Sequence, residues 1–168
     1  MSEFTPVPGT VLPRFAGIPS FMRLPHVPLS DARIGEVEVG LIGAPFDTGT
    51  TNRPGARHGP RQVRDASTMI RAEHGVTGMR PFEAMRCADL GDVGPNPADI
   101  ADTLARMEAF YDEVLSHGIR PLTCGGDHLC SLPILRALAR DRPLGMIHFD
   151  SHSDLFAGYF GGTRYTHG

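Results

Sequence analysis

The chain has 168 residues, 40% hydrophobic and 21% charged, and a formal net charge of −3. This length suits one folded domain, the charge excludes a basic nucleic-acid-binding surface, and no apolar run approaches the roughly 20 residues of a membrane helix. The N-terminus lacks a signal-peptide pattern, and the three cysteines have no paired spacing, so we expect a cytoplasmic location.

The first part of the chain predicts an arm and then a strand. Residues 1–30 are rich in proline and predict an extended arm that packs on a surface of the chain or on a neighbouring subunit. Residues 31–168 predict a single domain. An apolar, β-branched run over 37–45 predicts a buried strand, and the spacing of apolar residues over 61–72 predicts a helix with Pro60 in its first turn.

The middle of the chain predicts a second strand over 85–92 and a long helix over 96–118. Asn96 is the predicted N-cap of this helix, Pro97 its first residue and Gly118 its C-terminal glycine. A third strand is predicted over 120–124, a helix over 132–140, and a fourth strand over 144–149.

Strands and helices that alternate in this way predict an α/β fold with a parallel sheet and helices on both faces. Ligands of such folds bind at the carboxyl ends of the strands. The predicted strand ends bring several polar residues to this edge of the sheet, namely Asp47, Asp89, Asp127, His128 and Asp150.

The segment Asp-Ser-His-Ser-Asp directly follows the predicted fourth strand. Asp150, His152 and Asp154 alternate, so in extended backbone they point the same way, and carboxylate and imidazole groups are ligands for divalent metals. Taken alone, the segment could equally be a solvated loop. His128, at a neighbouring strand end, favours a metal site, and Asp127 either orients a ligand or caps the next helix.

These motifs, Gly-Gly-Asp-His, Asp-Ser-His-Ser-Asp and Tyr-Thr-His-Gly, resemble those of the ureohydrolase family, which includes arginase, agmatinase and the guanidino-acid hydrolases. The upstream GAPFDTGTTNRPGARHGPRQVR resembles the agmatinase-like branch. The resemblance implies a three-layer α/β/α fold with a parallel sheet, two divalent ions (Mn²⁺ in most members, with Ni²⁺ as the alternative), and a homo-oligomer, either trimer or hexamer.

The resemblance also implies roles for individual residues. His128 would bind the first metal and His152 the second, while Asp150 and Asp154 would bridge the two ions. His167 would be a proton shuttle near the substrate, and His167 and Asp150 would be the catalytic residues. Ser151 stands where the family usually has alanine, and Asn52 and Arg53 lie in the upstream signature without an assigned role.

The same resemblance favours a guanidino acid, guanidinopropionate or guanidinobutyrate, as the substrate. Arg164 would pair with the substrate carboxylate, or else is a solvated loop residue, and Tyr159 would line the aliphatic spacer. Agmatine, guanidine and an alkylated guanidine or biguanide are the alternative substrates. A non-catalytic subunit of a mixed oligomer is the alternative of another class.

The family also has a later Asp-x-Asp pair and a substrate-binding glutamate, and neither occurs within these 168 residues. We therefore expect that these residues form the N-terminal portion of the domain, that their sheet is incomplete, and that they have no activity by themselves. Three explanations for the missing motifs are open: the residues belong to a longer enzyme, they are a truncated gene product, or a second chain supplies the other half. A remaining histidine, His148, lies two residues before Asp150 and could face the site, but a core position in the fourth strand is the favoured expectation.

Overall fold

A parallel sheet of three strands forms the centre of the structure, which is a computed structural model that describes residues 3–156, 158 and 160–162. The central strand pairs in parallel with both neighbours, in the order β2-β1-β3. Three of the four predicted strands are confirmed, with ends shifted by at most two residues. They are β1 (Val39–Ala44), β2 (Cys87–Asp92) and β3 (Arg120–Gly125).

Helices cover both faces of this sheet. Because successive residues of a strand point to opposite faces, Ile42 and Leu41 belong to two different apolar clusters. The Ile42 cluster contains the buried side chains of two helices that pack together, and the Leu41 cluster contains Phe21 and Phe82. The three-layer α/β/α prediction is therefore confirmed. The helices are α1 (Gly59–Ser67), α2 (Pro81–Ala84), α3 (Ile100–Ser116) and α4 (Ser131–Leu138).

The predicted apolar stripe of α3 is buried against the sheet, as its helical spacing requires. Leu104, Met107, Tyr111 and Val114 are each no more than 4% exposed. Gly118 follows the helix with φ of 73°, a left-handed conformation that glycine adopts without strain.

The prediction that Asn96 caps α3 is wrong, because Asp99 is the cap and accepts a hydrogen bond from the Asp102 amide at 3.0 Å. The Asn96 side chain instead accepts from the Ala98 amide at 3.1 Å, so it stabilises a turn before the helix. The helix predicted over 61–72 also ends early, at Ser67.

The N-terminal arm packs on its own chain. Phe4, Phe21, Leu24 and Val27 are buried, and the Phe21 amide donates to a carboxylate oxygen of Asp89 at 2.9 Å. A short 3-10 helix, Phe21–Arg23, interrupts the extended backbone of the arm. None of the described helices is long and apolar enough to cross a bilayer.

The predicted fourth strand is the largest departure from the sequence analysis. Residues 144–149 form no strand, and Ile147 and Phe149 are 84% and 93% exposed. A strand is stable only when a neighbour pairs with it and other layers cover its apolar side chains, and these are non-local interactions. Among the described residues β3 is therefore an edge strand, with Leu122 56% exposed.

Candidate metal centre

The carboxyl ends of β1 and β3 lie side by side and carry the candidate site. Beyond the strands, the Gly126 amide donates to the Ala44 carbonyl at 3.0 Å, and the Asp127 amide donates to the Phe46 carbonyl at 2.8 Å. This pairing delivers His128 to the edge of the sheet. The backbones approach so closely at Gly126 that a side chain there would collide with the Phe46 carbonyl oxygen.

Replacing Gly126 with alanine should therefore destabilise the protein by about 1–3 kcal/mol, since the obstructing atom belongs to the backbone and cannot rotate away. Gly125 is a matched control, because a Cβ at this adjacent position meets no atom within 4 Å. Urea unfolding of Gly126→Ala and Gly125→Ala measures the difference. Equal midpoints for the two variants would contradict the close approach.

Four potential metal ligands meet beyond this edge, His128, His148, Asp150 and Asp154, whose ligand atoms all lie within 4.8 Å of one another. The His128 Nδ1 atom lies 2.7 Å from an Asp154 carboxylate oxygen and 3.9 Å from one of Asp150. The His148 Nε2 atom lies 3.5 Å from the same Asp150 oxygen. Two carboxylates and two imidazoles thus surround one small volume.

The electrostatics of this cluster favour the ionised form of Asp150. The backbone N–H of His152 donates to Asp150 at 2.9 Å and lowers the pKa of that carboxyl, and the nearby His148 and His128 rings act in the same direction. Asp154 has φ of 51°, in the left-handed region that non-glycine residues rarely adopt. Residues held in such conformations concentrate at functional sites.

The chemistry of this donor set fits a divalent first-row ion. Imidazole and carboxylate ligands together suit Mn²⁺, Ni²⁺ or Zn²⁺, and both ligand types bind in the deprotonated form. An ion at this place would also offset the mutual repulsion of the Asp150 and Asp154 carboxylates. The four residues therefore have the composition and the proximity that a metal centre requires.

The structure places the predicted site residues as follows. His128, Asp150 and Asp154 lie together, whereas the His152 side chain is 77% exposed and its Nδ1 atom lies 3.7 Å from Asp150. His152 lines the same cleft but is not one of the four clustered residues. His167, Arg164 and Tyr159 lie outside the described residues, so their roles stay predictions.

The expectation that His148 is a core residue is wrong, because it is exposed and belongs to the cluster. The signal in the sequence was its position two residues before Asp150, the same spacing that relates Asp150, His152 and Asp154. In extended backbone, that spacing predicts a common direction for the side chains at positions 148, 150, 152 and 154.

The other strand-end carboxylates serve the protein framework. The Asp127 side chain makes no cap bond to the following helix and accepts from the Gly49 amide at 2.8 Å. Asp47 is buried and accepts from the amides of Gly55 and Arg57. Asp89 is buried and pairs with Arg64.

Comparisons with known proteins place these features in context. A family model described as the arginase family matches residues 37–168. Guanidinopropionase of Pseudomonas aeruginosa is 54% identical over 163 residues, which cover 97% of this chain and 50% of that protein. Guanidinobutyrase of the same organism is 43% identical over 157 residues, 93% of this chain and 49% of that protein.

Among solved structures, proclavaminate amidino hydrolase from Streptomyces clavuligerus matches with a TM-score of 0.83 and 38% identity. The match covers 92% of this chain and 50% of that one. The chain therefore spans about half the length of the relatives and of this solved structure.

Proposed function

Because the chain belongs to the arginase family, we propose that the protein hydrolyses a guanidino compound and releases urea. The observation that carries the proposal is the cluster of His128, His148, Asp150 and Asp154 at the strand ends. The names of two relatives, guanidinopropionase and guanidinobutyrase, favour guanidinopropionate or guanidinobutyrate as the substrate.

We propose that the site holds two divalent ions, Mn²⁺ or Ni²⁺. His128, Asp150 and Asp154 would be ligands, with His148 and His152 as the further imidazoles within reach. When bound, such ions supply Lewis acidity, which makes water a nucleophile near neutral pH. Asp150 fits the role of a metal ligand because its pKa is lowered, first by the hydrogen bond from the His152 amide, so its carboxylate is ionised at neutral pH.

The reaction needs a proton donor as well as a nucleophile. A water oxygen bonds to the guanidinium carbon, the C–N bond to the substrate tail breaks, the tail amine takes up a proton, and urea leaves. His167 is the proposed donor, because an imidazole exchanges protons near neutral pH. Tyr159 is proposed to contact the spacer of the substrate, and Arg164 is one candidate for the group that contacts its carboxylate.

The assembly and location complete the proposal. We propose a homo-oligomer, trimer or hexamer, in the cytoplasm, and light scattering on the purified protein measures the first of these. A second subunit that supplies the rest of the fold is the alternative, and co-purification of a related chain would favour it.

Because the 168 residues are expected to be inactive by themselves, the test is urea release from the purified native assembly that contains this chain together with the rest of the fold, loaded with Mn²⁺ or with Ni²⁺. We expect turnover of guanidinopropionate or guanidinobutyrate in preference to agmatine, arginine, guanidine and an alkylated biguanide. The reason is that the substrates named for both relatives end in a carboxylate with no ammonium beside it. Agmatine, guanidine and an alkylated biguanide have no carboxylate, and arginine carries an α-ammonium next to its carboxylate.

The metal content of the same preparation separates the alternatives. Two ions in each chain together with urea release support the enzyme. Bound metal with turnover of agmatine or guanidine alone would overturn the guanidino-acid assignment. Neither metal nor turnover would favour the non-catalytic subunit.

A further inference from the structure

A cleft of about 560 Å³ lies between the metal-ligand cluster and the loop that follows β1. Its lining includes His128, Asp150 and Asp154 of the cluster together with residues 50–53 of the loop. Any substrate whose guanidinium reaches the cluster therefore has residues 50–53 as neighbours of its remaining atoms. This loop is therefore the candidate element for recognition of the substrate tail.

Among the described residues that line this cleft, Arg53 is the one arginine or lysine. Its side chain is exposed, and the described residues place no carboxylate within ion-pair distance of it. Other arginines in the same part of the chain are paired, Arg57 with Asp47 and Arg64 with Asp89. Arg53 is thus a cation held at the cleft without a protein counter-ion in the described structure.

The loop that carries Arg53 is anchored on both sides. Before it, the Gly49 amide donates to Asp127, which directly precedes His128. After it, the amides of Gly55 and Arg57 donate to the buried carboxylate of Asp47 at 2.6 and 3.2 Å. Only the five residues 50–54 lie between the anchors at Gly49 and Gly55, so the loop has a defined position relative to the metal-ligand cluster.

We propose that Arg53 binds the carboxylate at the tail of a guanidino acid and selects such substrates over those with a neutral or cationic tail. The proposal deepens the proposed function and rests on it. A guanidino acid has a positive guanidinium at one end and a negative carboxylate at the other. The cleft contains the carboxylates of Asp150 and Asp154 and the guanidinium of Arg53, so its charges complement those of the substrate. An arginine guanidinium binds a carboxylate through paired hydrogen bonds, and it repels the ammonium of agmatine.

The test compares a guanidino acid with its own methyl ester, which keeps the spacer and removes the tail charge. The acid is whichever of guanidinopropionate and guanidinobutyrate the wild type prefers. We expect Arg53→Ala to lower kcat/KM for the acid by about 10- to 100-fold, mainly through KM, and to change the ester by less than about twofold. Arg53→Lys should recover part of the loss for the acid.

Arg61→Ala is the matched control, since Arg61 is also exposed but lies on α1 and does not line the cleft. It should leave both substrates unchanged. The inference would be overturned if Arg53→Ala lowered kcat/KM equally for the acid and the ester. It would also be overturned if Arg164→Ala lost the preference for the acid and Arg53→Ala did not. Either result would leave the proposed function standing. A wild type that releases urea from no guanidino compound would overturn both.

Discussion

Asp154→Asn should lower urea release by more than about 100-fold and reduce the bound metal below the wild-type content. Asp154 lies 2.7 Å from His128 and its side chain is only 9% exposed, so its carboxylate charge is central to the cluster. Loss of a group that merely supports a metal ligand costs about 10- to 100-fold, and loss of a ligand charge should cost more.

The substitution is well matched to its purpose. Asparagine has the shape of aspartate and tolerates the left-handed backbone of residue 154, so the fold should persist while the charge is lost. Elemental analysis and the urea assay measure the two effects. Asp141→Asn removes an exposed carboxylate from the segment after α4 and serves as the control. Wild-type metal content and turnover in Asp154→Asn would exclude Asp154 as a ligand.

Asp89→Asn should lower the free energy of unfolding by up to about 3–5 kcal/mol, because it removes the charge of the buried one of the two carboxylates, Asp89 and Asp92, that pair with the mostly buried Arg64. Asp89 is 2% exposed and accepts from the Arg64 guanidinium at 2.8 and 3.0 Å. It also accepts from the amides of Phe21 and Gly91, so one carboxylate joins α1, β2 and the N-terminal arm.

The pH dependence gives this prediction a second measurement. Burial alone would raise the pKa of Asp89, but the bonds from Arg64, Phe21 and Gly91 outweigh it and lower the pKa below its ordinary value. The stabilisation is therefore complete above the unfolded pKa of about 4 and is lost as the pH falls through the lower folded value. The difference in stability between wild type and Asp89→Asn should shrink over that acid range.

Asp112→Asn provides the matched control for Asp89. Asp112 also pairs with an arginine, Arg140, at 2.7 Å, but both partners are exposed. Exposed ion pairs contribute little to stability, so urea unfolding should detect a much smaller loss than for Asp89→Asn. Similar losses in the two variants would show that burial of the Asp89 pair does not set its contribution.

Local patterns were sufficient wherever one segment's own residues decide the outcome. The apolar runs of β1, β2 and β3 and the helical spacing of Leu104, Met107, Tyr111 and Val114 predicted the elements and their buried faces. The alternation of strands and helices predicted the parallel sheet, and parallel strands bring their carboxyl ends to one edge. The Gly-Gly-Asp-His and Asp-Ser-His-Ser-Asp motifs could therefore be assigned to one place.

Competition between nearby groups was harder to predict. Asn96 and Asp99 are both good caps, and the choice between them depends on which carboxylate or amide finds a partner, here Asp99 with the Asp102 amide. The functions of Asp47, Asp89 and Asp127 depended in the same way on partners from distant segments, namely Arg57, Arg64 and the Gly49 amide.

Residue types, spacing and order thus predicted the fold class, the edge of the sheet that carries the candidate site, and three of its four clustered residues. Only the tertiary structure decided that residues 144–149 form no strand. It also decided that His148 joins His128, Asp150 and Asp154, and that Arg53 lines the cleft beside this cluster. The physical reason is that strand pairing, burial and ligand clustering are contacts between segments far apart in the chain. Periodicity within one segment carries no information about such contacts.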